Sequence, residues 1–145
     1  MAIGESWEVV VVIASRVWVV LCFAVLVGCG PKSVEISGTV KFDGKPVPRG
    51  RVFFNPDTTK DNDGPQGFAE IRDGIYDTRL KGRGACGGPT VVVIQGNDGA
   101  ENARPLFLEY QEAIDLPKET CVRDFNVPAS AAKGLPKPPP ANWRP

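Results

Sequence analysis

The amino-acid sequence predicts an all-β protein built as a single antiparallel β-sandwich of about seven strands. Three observations carry that reading. Residues 34–42 alternate, with Val34, Ile36, Val40 and Phe42 on one face and Glu35, Ser37, Thr39 and Lys41 on the other, the period of a half-buried strand. Glycine and proline are abundant, and Asp43-Gly44 and Asp73-Gly74 each follow a strand-like run as turns that tolerate positive φ. Thr90-Val91-Val92-Val93-Ile94 is β-branched throughout, the pattern of a strand buried on both faces.

The elements follow in chain order. Residues 9–28 are apolar apart from Ser15 and Arg16, long enough for the hydrophobic segment of a signal helix. At about 20 residues the same run has the length of a membrane span, although a central Arg would cost about 2.5–3.5 kcal/mol there. Residues 29–33 form a short tether. After the strand at 34–42, the prolines of Lys45-Pro46-Val47-Pro48 suit an edge or a connection. Residues 51–55 form a second strand, and 57–67 a polar loop. Residues 68–72 and 75–80 read as a hairpin around Asp73-Gly74. A glycine-rich stretch, 81–88, leads into the apolar strand at 90–94. Residues 106–116 are ambiguous between a strand and a short helical turn. Residues 120–127 close the domain as a last strand, so the sandwich spans 34–127. Residues 128–145 are rich in proline, alanine and lysine and read as an exposed, mobile tail.

The net charge is zero, with no basic stripe that would suit nucleic acid. There is no histidine. That removes the usual triad base and the commonest transition-metal ligand. It leaves carboxylate chemistry open.

The run Leu26-Val27-Gly28-Cys29 resembles a bacterial lipobox, in which the cysteine is lipidated and becomes the mature N-terminus. Residues 1–28 would then be a lipoprotein signal peptide, despite the acidic Glu5 and Glu8 near its start. The alternative is an ordinary cleavage site. Lipidation at Cys29, palmitate included, implies a partner in the lipid bilayer and a place in the cell envelope, since stable anchoring takes more than one acyl chain. Gly30 in place of Asp favours the outer membrane. Of four cysteines, Cys22 falls in the segment to be removed, which leaves Cys86 and Cys121. In an oxidising compartment these are expected to form a disulfide. It would close a loop of about 35 residues, for roughly 3–4 kcal/mol. Two separately buried thiols are the alternative.

Residues 37–54, Ser37-Gly38-Thr39-Val40-Lys41-Phe42-Asp43-Gly44-Lys45-Pro46 onward to Phe54, together with Gly74-Ile75-Tyr76 and Thr90-Val91-Val92-Val93, resemble carboxypeptidase-regulatory-like, or transthyretin-like, β-sandwich domains. The likeness covers most of 34–96. It implies an accessory or binding module of the kind small bacterial lipoproteins carry, with no catalytic site to transfer. A non-catalytic envelope lipoprotein that binds a protein or glycan, or serves as a structural module, is therefore the first expectation.

The second is a carboxylate-based hydrolase of envelope glycans, for which Asp73, Asp77, Glu109 and Glu112 are available. Thr59 to Glu70 also approaches an EF-hand loop, with Asp61, Asp63, Gly64 and Glu70 at matching positions. If calcium binds, Asp57, Asp61, Asp63 and Glu70 supply the oxygens; otherwise these residues support turns. No other cofactor is expected. Residues 82–88 lack the Lys-Ser/Thr ending of a phosphate loop, and Trp143 and Arg144 offer a docking motif in the tail.

Overall fold

The computed structural model describes residues 33–100 and 103–135. The signal segment, the lipobox with Cys29, and residues 136–145 with Trp143 lie outside the described residues. Among the described residues ten strands form, β1 (Ile36–Phe42), β2 (Lys45–Pro46), β3 (Arg49–Pro56), β4 (Gly67–Arg72), β5 (Ile75–Asp77), β6 (Gly82–Arg83), β7 (Gly88–Asn97), β8 (Tyr110–Leu116), β9 (Cys121–Val122) and β10 (Phe125–Val127), with one α-helical turn, α1 (Thr78–Lys81), and two 3-10 turns, Thr58–Lys60 and Ala129–Ala132. The all-β class is as expected. The strands join one sheet in the order β10-β1-β5-β4-β3-β7-β8, curled into a half-barrel. Most pairings are antiparallel, and only β9 and β10 run parallel to β1.

Both Asp-Gly turns form as the residues dictate. Asp43 and Gly44 have φ of 48° and 76°, and Asp73 and Gly74 have 51° and 78°, the paired positive values of a tight hairpin. They set the phase of β1, β2, β4 and β5. The inward positions that result are fully buried: Ile36 and Val40 on β1, Val52 and Phe54 on β3, Val92 and Ile94 on β7. Each such side chain contributes about 1.5–3 kcal/mol by leaving water. Phe54, Tyr76 and Phe125 form a triangle in the concavity, with ring centroids 6.0–6.5 Å apart, a spacing that favours tilted aromatic pairs.

The expected last strand is broken in two. Asp124 accepts hydrogen bonds from the Thr39 backbone N–H at 2.7 Å and the Thr39 hydroxyl at 2.8 Å. A side chain therefore takes the donor that a continuous ladder would have used, and Arg123-Asp124 bulges between β9 and β10. Gly38 permits the approach, because a Cβ there would overlap the Arg123 carbonyl.

Three expectations are corrected and one left open is decided. The strand expected over 75–80 stops at Asp77, whose carboxylate caps α1 by accepting from Arg79 N–H at 2.9 Å. An Asp at the N-cap satisfies an otherwise unpartnered helical donor, so the chain turns rather than continues. Of the ambiguous residues 106–116, Tyr110–Leu116 form β8, paired with β7 over seven residues. The tail does not begin at 128. Ala129–Ala132 forms a 3-10 turn, Ala131 packs on the core and its carbonyl accepts from Leu108 N–H at 3.1 Å. Lastly, Cys86 and Cys121 are free thiols, not at disulfide distance. Cys86 points at Gly64, where a Cβ would overlap its sulfur, whereas Cys121 is held in β9 opposite Ile36. No helix among the described residues is long and apolar enough to cross a membrane.

Candidate binding surface

The convex face of the sheet carries a band of apolar side chains that the core does not use. Strand register builds it. Phe53 on β3 sits opposite Phe68 on β4 and Val93 on β7. Phe68 in turn faces Arg83 on β6, and Val93 faces Gln111 on β8. Because alternate residues point to opposite faces, the inward burial of Val52, Phe54, Ala69 and Ile94 forces these side chains outward. Phe53, Phe68 and Val91 are half-buried and lie outside the core cluster, whereas Val93 is itself buried. Phe53 and Phe68 are directly opposite in the β3–β4 register.

The rows on either side are polar. Glu70, Arg51 and Gln95 form the next row, and Arg72, Arg49 and Asn97 the one beyond. On the opposite flank Asn55 is aligned with Val91, and Gln66 donates to the Asn55 side chain at 2.5 Å. At the β5 end, Ile75 and Leu80 are 62 % and 80 % exposed and border a depression of about 210 Å³ with Glu70, Arg72, Asp77 and Lys81. The α1 turn places Leu80 there.

Ion pairing on this surface is uneven. Glu70 lies 3.2 Å from Arg72 and 4.0 Å from Lys81, and Asp77 lies 2.7 Å from Arg79. The Arg79 guanidinium holds the Asp77 carboxyl below the usual carboxylate range. Arg49, Arg51 and Arg83 have no ion pair among the described residues; Arg83 donates to the Gln66 carbonyl.

The residues singled out in the sequence are dispersed. Asp57 caps a 3-10 turn, accepting from the Thr59 N–H at 3.1 Å and the Thr59 hydroxyl at 2.6 Å. Those bonds and the Lys60 ammonium at 3.4 Å lower its pKa. Asp61 takes a left-handed conformation at the end of the same turn. Asp63 is exposed in the following loop, and Glu70 lies within β4, bound to its cations. Among the described residues no three acidic, cysteine or histidine side chains gather into a metal-binding group, so the four proposed calcium oxygens are not brought together.

Nor do the candidate hydrolase carboxylates meet. Asp73 sits in the β4–β5 turn, Asp77 is held by Arg79, Glu109 accepts from Gln95 and Gln111, and Glu112 pairs with Arg123. Cys86 borders a cavity of about 520 Å³ with Val34, Asn62, Asp63, Gly64 and Lys118. The glycine-rich stretch is structural: Gly82 and Arg83 pair with β4, and Ala85 bridges Val34.

The convex face was not anticipated. Its signal was present in Val52-Phe53-Phe54, three consecutive apolar residues where a one-sided strand would alternate. Comparison with known proteins returns no matching family model, no matching curated protein and no matching solved structure.

Proposed function

We propose that the protein is a lipid-anchored lipoprotein of the cell envelope that works by binding rather than catalysis. In this reading Cys29 is acylated and holds the β domain at the outer membrane, and the curled sheet is a carboxypeptidase-regulatory-like sandwich closed by its own curvature. One observation supports binding above the others: the convex face keeps Phe53, Phe68, Ile75 and Leu80 outside the core and rims them with charged and amide groups. Apolar surface with a polar border is the composition of recognition sites. The absence of histidine from the chain accords with a non-catalytic role.

Two measurements test it in bacteria producing the full chain. Metabolic labelling with a palmitate analogue is expected to mark the protein and to fail in Cys29→Ser. A photo-crosslinking residue at position 80 is expected to form adducts that one at exposed Lys45, on β2 beside β1, does not. Labelling that persists in Cys29→Ser, or equal adducts from both positions, would overturn the reading.

A further inference from the structure

We propose that the convex face is a binding site for an anionic polysaccharide strand, a refinement that rests on the binding reading above. Charge selects an acidic ligand. Arg49, Arg51 and Arg83, which have no ion pair among the described residues, together with Arg72, Arg79 and Lys81, are set against Glu70, Asp73 and Asp77 on β4, β5 and their turn, with Glu109 and Asp115 at the β8 edge. Two of those carboxylates are already neutralised by neighbouring cations on the same surface. Arg51 and Arg83 flank the Phe53–Phe68 pair, one from the row above and one at its end. A guanidinium in that position offers paired N–H donors to a carboxylate or phosphate.

The neutral groups select a glycan over an acidic peptide or a single-stranded nucleic acid. Asn55, Gln66, Gln95, Asn97 and Gln111 place carboxamides around the aromatic pair; Gln66 donates to Asn55, and Gln95 and Gln111 donate to Glu109, so each of these three keeps a second N–H and its oxygen for a ligand. A carboxamide both donates and accepts, as each sugar hydroxyl does. A polyanionic peptide with a carboxylate on every residue asks chiefly for cations, and single-stranded bases ask for open rings on which to stack, whereas Phe53 and Phe68 are half-buried. Phe53 and Phe68 lie side by side on neighbouring strands, about 4.8 Å apart in the sheet. They give the C–H face of a pyranose ring an apolar platform. The surface is open and crosses four strands, so it suits an extended polymer.

The test is calorimetric titration of the full chain in detergent micelles with four probes: polygalacturonate, dextran, polyglutamate and oligo-dT. Polygalacturonate is expected to bind at least tenfold more tightly than each of the others. The double variant Arg51→Gln/Arg83→Gln is expected to weaken it at least tenfold while the protein stays folded with a cooperative melt, since both side chains are exposed and only the Arg83 bonds to the Gln66 carbonyl are lost. Phe53→Ser/Phe68→Ser is expected to weaken it comparably. No polygalacturonate binding, or wild-type affinity in the arginine variant, overturns the proposal. Equal or tighter binding of dextran removes the acidic requirement. Equal or tighter binding of polyglutamate or oligo-dT assigns the face to a peptide or a nucleic acid instead. Palmitate labelling and crosslinking at position 80 decide the lipoprotein reading separately, so a failed titration beside positive labelling and crosslinking rejects only the glycan.

Discussion

The Glu112 carboxylate lies 3.6 Å from the Arg123 guanidinium, and the two residues belong to opposite ends of the sheet. Glu112 is on the edge strand β8. Arg123 links β9 to β10 at the other edge. Among the described residues no ladder joins those edges; the ion pair and the Leu108 N–H to Ala131 carbonyl bond span the gap. Arg123 is also fixed from inside the curl, where its carbonyl accepts from the Tyr76 hydroxyl at 2.7 Å and rests above Gly38. Both members of the pair are well exposed, so the pair itself contributes at most about 1 kcal/mol. The buried contacts around Arg123 carry more of the closure.

Tyr76→Phe tests the strongest of them. The ring of Tyr76 is 1 % exposed, and the substitution removes its hydroxyl while keeping the ring in the aromatic triangle. Loss of the bond to the Arg123 carbonyl should cost about 1–3 kcal/mol, read as a lower urea midpoint with an unchanged slope. A loss below about 0.5 kcal/mol would show that water replaces the phenol at no cost.

Gly38→Ala should be more damaging than its size suggests. The added methyl would collide with the Arg123 carbonyl, a backbone atom that cannot move without opening β1 from β9. A cost of about 3 kcal/mol is expected. Thr39→Ala, which keeps the backbone and loses one hydrogen bond to Asp124, is expected to cost about 1 kcal/mol. Equal effects of the two would mean that the close approach at Gly38 is unimportant.

The thiols give a direct covalent check. Unfolding the purified protein in iodoacetamide without reductant should alkylate both Cys86 and Cys121, and peptide mass mapping should find no peptide joining them. In the folded state Cys121 should react slowly, because burial pushes its thiol pKa up and the thiolate is the nucleophile. Cys86→Ser and Cys121→Ser should each lack the roughly 3–4 kcal/mol penalty that losing a bridge across this loop would bring. A recovered disulfide-linked peptide would contradict the separate placement of the two side chains.

What was legible in the sequence follows from where each side chain finds its partner. β1, β3 and β7 show in their own residues, because Val, Ile and Phe alternate or cluster where the strand meets the core. Both Asp-Gly turns show because positive φ is a local demand. β8 does not show: its inward positions are Tyr110, Glu112, Ile114 and Leu116, and Glu112 breaks the apolar pattern because its partner, Arg123, is remote in the chain. Asp77 carried a local cap signal, yet Ile75, Tyr76 and Leu80 read as one strand until the capped turn swung Leu80 outward. The packing of Ala131 was hidden by composition, since alanine and proline near a terminus look like linker. The convex face was partly visible in the paired phenylalanines, but its cations and amides come from separate strands and only register brings them together.

Stability should fall on acidification below about pH 5, and Asp124 should account for part of that fall. The carboxyls of Asp57, Asp77, Asp98 and Asp124 all sit below their ordinary range, each because it accepts hydrogen bonds: from Thr59, Arg79, Arg104 and Thr39 respectively. A carboxyl with a depressed pKa in the folded state is protonated first in the unfolded chain. Its contribution is therefore complete above the ordinary aspartate value of about 3.9 and is lost as pH drops through and beneath it. Melting temperature should be flat from about pH 7 to 5 and decline steeply from about pH 4 to 2. In Asp124→Asn the amide oxygen can still accept from Thr39, but nothing titrates at that site. The variant should melt somewhat lower at neutral pH and lose less on acidification, so that the two curves converge near pH 2. Parallel curves would show that the bonds from Thr39 do not favour the ionised carboxylate.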